Sequence, residues 1–215
     1  MAEVSEYLKN EREQDWRVAL RGNMKNKERT QLERVSMTEQ DPEKRNKDFT
    51  EVNSGLSEEE ARKEAQRCLD CVNPTCITGC PVSINIPKFI KRIEQGDFLE
   101  SARVLKETNT LPAVCGRGCP PEVQCEQACF YTQKLKKPAV AIGHLERYIA
   151  DYEQNSGKMS VPEITGKNGV KVASIGSGPA GLAFAGDMAK MGYDVTVFEA
   201  LHEIGGGLKY GIPEF

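Results

Sequence analysis

The 215-residue sequence predicts a mainly α-helical domain built around clustered cysteines, followed by an incomplete α/β domain of Rossmann-like order. Three observations carry that expectation. All eight cysteines fall between Cys68 and Cys129. Around them, apolar residues recur at helical spacing. Past Gly166, glycines and β-branched residues appear together in strand, glycine loop, helix and strand order.

Composition narrows the function classes. With 29 Lys+Arg against 32 Asp+Glu, the net charge is −3 and the pI near 5.6, so no basic nucleic-acid-binding face is expected. No apolar run approaches the ~20 residues that span a bilayer. The start, Met-Ala-Glu-Val-Ser-Glu-Tyr, is acidic and polar, unlike a signal peptide. These features predict a cytoplasmic protein without nucleic-acid or membrane partners. Thiols stay reduced there, so eight cysteines point to metal or redox chemistry rather than to a disulfide scaffold.

The elements follow in order. Residues 1–67 hold 14 basic and 16 acidic residues, and the first fifty contain only the aromatics Tyr7, Trp16 and Phe49. Such a segment cannot bury a core of its own. Residues 1–55 are therefore read as a charged arm with some helix, packed onto the rest of the chain or onto a partner. Residues 56–156 form the helical domain. Ser57 and Glu60 make a capping box, and the helix through Ala61–Arg67 delivers Cys68. Pro87 opens a helix over Lys88–Gln95 that Gly96 ends. Asp97 caps a third, running to Glu107. Val140–Gln154 forms a fourth, with Ala141, Leu145, Tyr148 and Tyr152 on one face. Gln154–Gly157 closes it and begins a linker. Residues 166–215 start the nucleotide domain.

The cysteines fall into two groups. Cys68, Cys71, Cys76 and Cys80 have the spacing C-x2-C-x4-C-x3-C, with Pro81 next; Cys115, Cys119, Cys125 and Cys129 have C-x3-C-x5-C-x3-C. Zinc sites usually present paired C-x2-C knuckles, and only one occurs here. A run of three thiolates followed by a Cys-Pro that reaches a second cluster is instead the pattern of 4Fe-4S binding. By that logic Cys68, Cys71 and Cys76 hold one cluster and Cys80 crosses to the other. Cys119 and Cys125 join Cys80, and Cys129 crosses back. The second cluster is then one ligand short, with Cys115 and Glu146 as candidates. Glu146 lies among Ile142, Leu145 and Ile149, where a carboxylate needs a cation or a metal. An ion pair with Arg117 or Arg147 would also satisfy it.

Val170–Ile175 reads as a strand, followed by Gly176-Ser-Gly178-Pro179-Ala180-Gly181, a helix over Leu182–Met191, a strand over Asp194–Phe198, and Glu199. In that context a G-x-G-x-x-G loop is a dinucleotide fingerprint. Its glycines permit the turn, the approach of a pyrophosphate and helix–strand packing, and the helix N-terminus faces the phosphates. Glu199 would bind ribose hydroxyls and repel a 2′-phosphate, favouring FAD or NAD over NADP. Gly205, Gly206 and Gly207 add a second glycine loop, more usual for FAD. His202 and His144 read as a loop residue and a solvated helix residue. Lys134, Lys136 and Lys137 read as a wet face.

At these residues the sequence resembles the small subunit of NADPH-dependent glutamate synthase and its relatives. Among them are the bifurcating ferredoxin:NADP oxidoreductase large subunit and the N-terminal region of dihydropyrimidine dehydrogenase. The resemblance runs from about residue 30 to 215 and includes Glu39-Gln-Asp-Pro42, Arg67–Cys71, Gly79-Cys-Pro81, Gly143-His-Leu-Glu146 and Tyr210-Gly-Ile-Pro213. It implies a helical domain with two 4Fe-4S clusters, followed by FAD and NAD(P)H domains. It also implies electrons moving from NADPH through FAD and the clusters to a large catalytic or electron-accepting subunit. It favours Glu146 over Cys115 as the fourth ligand of the second cluster. Members of the family continue well past the position of Phe215, so the NADPH domain and most of the FAD site are expected elsewhere: in a longer protein, or in another chain. An open sheet edge after Phe198 leads to the expectation of a homo-oligomer or other assembly that covers it. The rival reading is a non-catalytic electron-transfer or docking module, or a zinc-stabilised interaction domain.

Overall fold

The computed structural model describes residues 2–159, 161–162, 164 and 166–212, with side chains described from Glu6 onward in the first helix. Pro213 of the Tyr210–Pro213 motif lies outside the described residues. In chain order the elements are α1 (Ala2–Arg12), α2 (Asp15–Asn23), α3 (Asn26–Arg29), α4 (Pro42–Arg45), α5 (Glu58–Gln66), α6 (Thr75–Thr78), α7 (Ile86–Gln95), α8 (Phe98–Lys106), α9 (Pro112–Gly118), α10 (Ile142–Ser156), β1 (Lys171–Ile175), α11 (Pro179–Lys190), β2 (Asp194–Phe198) and α12 (Gly207–Tyr210). A π-helical turn covers Tyr131–Leu135. The chain divides into two compact units, residues 1–38 with 54–159, and residues 39–53 with 160–215. Among the described residues no helix is long and apolar enough to cross a membrane.

The first unit is held by local caps and one apolar core. At the start of α5, Glu60 Oε2 accepts from the Ser57 N–H at 2.8 Å and Ser57 Oγ accepts from the Glu60 N–H at 3.3 Å, the reciprocal capping box. Asn85 caps α7 and Asp97 caps α8. Phe89, Ile90 and Ile93 of α7 are fully buried against Ala61 and Ala65 of α5, Val104 and Leu105 of α8, and Leu145 and Ile149 of α10. Burying each large apolar side chain contributes roughly 1.5–3 kcal/mol. The fourth expected helix begins at Ile142 rather than Val140, because Ala141 takes the N-cap conformation.

Arginines tie the N-terminal segment into this unit. Arg29 is fully buried and donates to Glu94 at 2.8 and 3.0 Å and to the Gln66 carbonyl at 2.5 Å. Tyr131 Oη donates back to the Arg29 and Arg67 carbonyls at 3.0 and 2.9 Å. Arg17 and Arg21 both pair with the buried carboxylate of Asp70, Arg21 at 2.7 Å, while Arg12 Nε donates to the Asp70 carbonyl at 2.8 Å. The residues that deny this segment a core of its own thus become its attachment. Long cationic side chains reach across, and each buried charge meets a partner.

In the second unit β1 and β2 pair in parallel, in register from Lys171↔Asp194 to Ile175↔Phe198, with α11 as the crossover. Among the described residues the sheet has these two strands. Gly181 sits where helix meets strand: a Cβ there would lie 2.1 Å from the Gly176 carbonyl oxygen. Only glycine permits that approach.

Candidate functional site

The helices of the first unit bring cysteines from both sequence groups together. The end of α5 presents Cys68, the loop beyond it Cys71, and α6 carries Cys76. Cys129 arrives from the second group. Thr75 Oγ1 donates to the Ala128 carbonyl at 2.5 Å and pins that segment beside α6. Cys68, Cys71, Cys76 and Cys129 line one cavity, whose other walls include Ile86, Ile90, Tyr131, Val140 and Ile142. Burial, reinforced by the neighbouring cysteines, raises the Cys68 thiol, pushes Cys71 up to about 12 and lifts Cys76 well above the usual thiol range. A donor set so buried becomes anionic readily only against a cation. Among the described residues, no three His, Cys, Asp or Glu side chains form a group that could hold a metal ion. The four thiols instead ring a volume, which suits a group larger than one ion. All eight cysteines are free thiols.

The second assembly draws on more elements. Cys80 follows α6, Cys115 lies on α9, Cys119 caps the C-terminal end of α9, Cys125 lies in the following loop, and Glu146 projects from α10. Burial raises Cys119, which also feels Glu146, Cys115 and Cys80; burial pushes Cys125 up to about 12, with Glu126, Cys80 and Glu146 adding to it. Gly116 allows α9 to sit on α10, since a Cβ there would lie 2.6 Å from the Arg147 backbone nitrogen. The spacing gave no sign of α9 as a helix, although Pro112 at its first turn is a helix-start signal.

Glu146 is buried, and burial raises its carboxyl to about 7 against the lowering effect of its hydrogen bond from Asn109. The Asn109 amide donates to Glu146 Oε1 at 2.7 Å. Neither arginine offered by the sequence pairs with this carboxylate. Arg117 donates from both guanidinium nitrogens to Asp151 at 2.9 Å, and Arg147 Nε lies 3.5 Å from Asp151. Five residues beyond Glu146 on α10, Asp151 collects the cations and leaves Glu146 with a neutral amide. Cys115 enters the same assembly, with its Sγ 3.6 Å from Asn109 Oδ1. The sequence reading passed over Asn109. The available signal was its place two residues ahead of Leu111-Pro112, where it makes an Asx turn by accepting from the Leu111 N–H at 3.0 Å. His144, expected in solvent, is half-buried with no hydrogen-bond partner for Nδ1 among the described residues, and burial lowers its pKa.

In the second unit, Gly176 ends β1, Gly178 is the N-cap of α11, and Pro179, Ala180 and Gly181 form its first turn. Ser177, between the two glycines, is fully buried. Its N–H and its hydroxyl both donate to Glu199 Oε2, the N–H at 2.9 Å, and the Leu201 N–H donates to Oε1 at 2.9 Å. These donors hold the Glu199 carboxyl down at about 2. The Gly205 N–H donates to Ser177 Oγ at 3.0 Å, which brings Gly206 against the Gly178 backbone and Gly207 to the start of α12. A carboxylate has about four acceptor positions, so Glu199 keeps room for ribose hydroxyls. His202 stands edge-on to Tyr210, ring centroids 5.8 Å apart.

Comparison with known proteins gives two domain matches. Residues 45–158 match the family described as dihydropyrimidine dehydrogenase domain II, 4Fe-4S cluster, and residues 175–210 match an NAD(P)-binding Rossmann-like domain. The chain is 41% identical over 186 residues to the glutamate synthase [NADPH] small chain of Escherichia coli, covering 86% of this chain and 39% of the relative. The Azospirillum brasilense small chain is 40% identical over 171 residues, 80% of this chain and 35% of that one. The NAD-dependent dihydropyrimidine dehydrogenase subunit PreT of Escherichia coli is 41% identical over 155 residues, 72% and 37% respectively. The chain thus spans less than half the length of these relatives.

Proposed function

The chain belongs to the family of dihydropyrimidine dehydrogenase domain II, 4Fe-4S cluster, and from that premise we propose that it forms the iron–sulfur and flavin-proximal part of an NAD(P)H-dependent oxidoreductase of glutamate synthase small-subunit type. Cys68, Cys71, Cys76 and Cys129 hold one 4Fe-4S cluster. Cys80, Cys119, Cys125 and Glu146 hold a second. Gly176, Gly178, Pro179, Ala180 and Gly181 bind the FAD pyrophosphate at the start of α11, with the backbone amides of Gly206 and Gly207 alongside, and Glu199 takes the ribose.

When bound, these cofactors supply the electron relay from NAD(P)H to a larger electron-accepting subunit. The chain's own residues bind, orient and exclude water. Ile86, Ile90 and Val140 keep the first thiol set dry. Asp70, gripped by Arg17 and Arg21, fixes the loop between Cys68 and Cys71. Ser177 ties Glu199 to both glycine loops.

The observation that carries this reading is that Cys129, from the second sequence group, lines the same apolar cavity as Cys68, Cys71 and Cys76. The test is anaerobic purification followed by iron, acid-labile sulfide and flavin analysis, electron paramagnetic resonance, and NAD(P)H oxidation with an artificial acceptor. About eight iron atoms per chain are expected for two cubanes. Colourless protein carrying zinc would sink the cluster reading. Full iron and flavin without NAD(P)H oxidation would reduce the chain to an electron-transfer module.

A further inference from the structure

Asn109 is the residue to which both rivals for the second donor group are attached. It is 4% exposed, in the loop between α8 and α9. Its backbone N–H donates to the Leu105 carbonyl at 3.0 Å, which holds the loop to the end of α8. Its side-chain oxygen accepts from the Leu111 N–H at 3.0 Å and faces Cys115 Sγ at 3.6 Å; its amide nitrogen donates to Glu146 Oε1 at 2.7 Å. The Asx turn prevents the amide from swinging. An amide has two acceptor lone pairs on oxygen and only donors on nitrogen. Leu111 and Cys115 use the oxygen, so the nitrogen is left for a carboxylate. Among the described residues Glu146 Oε2 has no hydrogen-bond partner, so one oxygen is held by Asn109 while the other is open to a metal.

We propose that Asn109 is a positioning residue that selects the fourth ligand of the second cluster: its N–H presents Glu146, and its oxygen engages Cys115 through S–H and keeps that sulfur in reserve. The proposal rests on the ligand reading above. A donor to a ligand's outer oxygen fixes the ligand's orientation and draws charge away from the metal. Without it, Glu146 loses its orientation and Cys115 its restraint, and the thiolate, the softer donor, takes the iron.

The test uses the anaerobically purified full chain with its clusters. Asn109→Leu removes both functions of the amide. Asn109→Asp keeps the oxygen for Leu111 and Cys115, and so the turn and the restraint on the thiol, but replaces the donor to Glu146 with an acceptor, which tests the presentation of Glu146 by itself. In both variants iron content and the resonance signal of the first cluster are expected to stay as in the unmodified protein. The second signal is expected to change to that of an all-cysteine cluster in Asn109→Leu, and in Asn109→Asp to change as Glu146, facing a second carboxylate, loses its orientation. Its reduced-to-oxidised ratio at a fixed potential is expected to fall about three- to tenfold, since a hydrogen bond that favours the reduced form is gone. Adding Cys115→Ser to Asn109→Leu is expected to abolish the new signal and remove about half the iron. An unchanged second signal and potential in Asn109→Asp overturns the proposal. So does a new signal that survives Cys115→Ser. Should Asn109→Leu not fold, Asn109→Asp decides alone. Glu146→Ala separates the two layers. If it leaves the second signal intact, the ligand reading fails and takes the proposal with it; if it alters that signal while Asn109→Asp does not, only the proposal fails.

Discussion

The two thiol assemblies of the helical unit are built on opposite plans. Around Cys68, Cys71, Cys76 and Cys129 the donors are all of one kind, as many as a cubane needs, enclosed by aliphatic walls and backed by the Asp70 clamp. Around Cys80, Cys115, Cys119, Cys125 and Glu146 there are five donors of two kinds, with Cys119 exposed and a neutral amide between two of them. The first plan leaves no substitute for a lost ligand. Under the proposed assignment the second carries a spare, and hydrogen bonding rather than supply would set its composition. Clusters ligated differently and exposed differently differ in potential, so under the proposed ligand sets the asymmetry would give the two centres the means to stand at different potentials.

The contrast can be broken most severely at Cys129. Cys129→Ser is expected to eliminate the first cluster, lowering iron by about half and leaving the second resonance signal in place; loss of both signals together would mean that the assemblies are not independent. Next in size is the clamp. Asp70→Ala strands the buried Arg17 charge, which is expected to cost about 3–5 kcal/mol, read as a lower midpoint in anaerobic denaturation followed by circular dichroism. The same change should disturb the first signal more than the second. Glu146→Ala should be milder, because Cys115 stands within the same assembly: the second signal changes form while most of the iron is retained. The smallest effect is expected from Cys115→Ser in the unmodified background. Spectra and iron content should match the parent, and a lost second cluster there would assign Cys115, not Glu146, as the ligand.

A further measurement contrasts this buried chemistry with the open nucleotide loop. Donation from Ser177 and Leu201 holds the Glu199 carboxyl near 2, below the usual carboxylate value. The order this lends the two glycine loops is therefore complete above the ordinary carboxylate range and is lost as pH falls through about 2. Amide exchange at Ser177 and Gly205 should accelerate over that acid window. Ser177→Ala should produce the same acceleration at neutral pH.

Much of this arrangement was legible in the residues. The Ser57–Glu60 box, the Asp97 cap and the Gly96 stop are short-range devices whose partners lie within four residues, and each appears where the pattern put it. The strand–loop–helix–strand order around Gly176, Gly178 and Gly181 was equally readable, because its demands on glycine are local: Gly176 takes a left-handed φ of +94°, and a Cβ on Gly181 would meet the Gly176 carbonyl oxygen. Asn109, Ser177 and the arginine clamps were not. Arg17 meets Asp70 across 53 residues and Arg29 meets Glu94 across 65, and periodicity says nothing about such pairs. The arginine partners considered for Glu146 were wrong for a related reason. Arg147 follows Glu146 on α10 and Arg117 lies on α9, which packs against it, but Asp151 offers both a carboxylate nearer the solvent and is the cheaper place to put their charge.

Sequence alone therefore determined the inventory: which thiols exist, their grouping, the helices that carry most of them, and the glycine loop that precedes an acidic strand end. These depend on local backbone preference and on side-chain chemistry, both written residue by residue. Tertiary structure alone decided the allocation. It brought Cys129 into the cavity of the first cysteine group, made Asp70 the anchor of the N-terminal arginines, and set Asn109 between a carboxylate and a thiol. Those outcomes turn on the burial of polar groups that must find partners wherever the packed helices happen to place them, and no stretch of chain contains that information by itself.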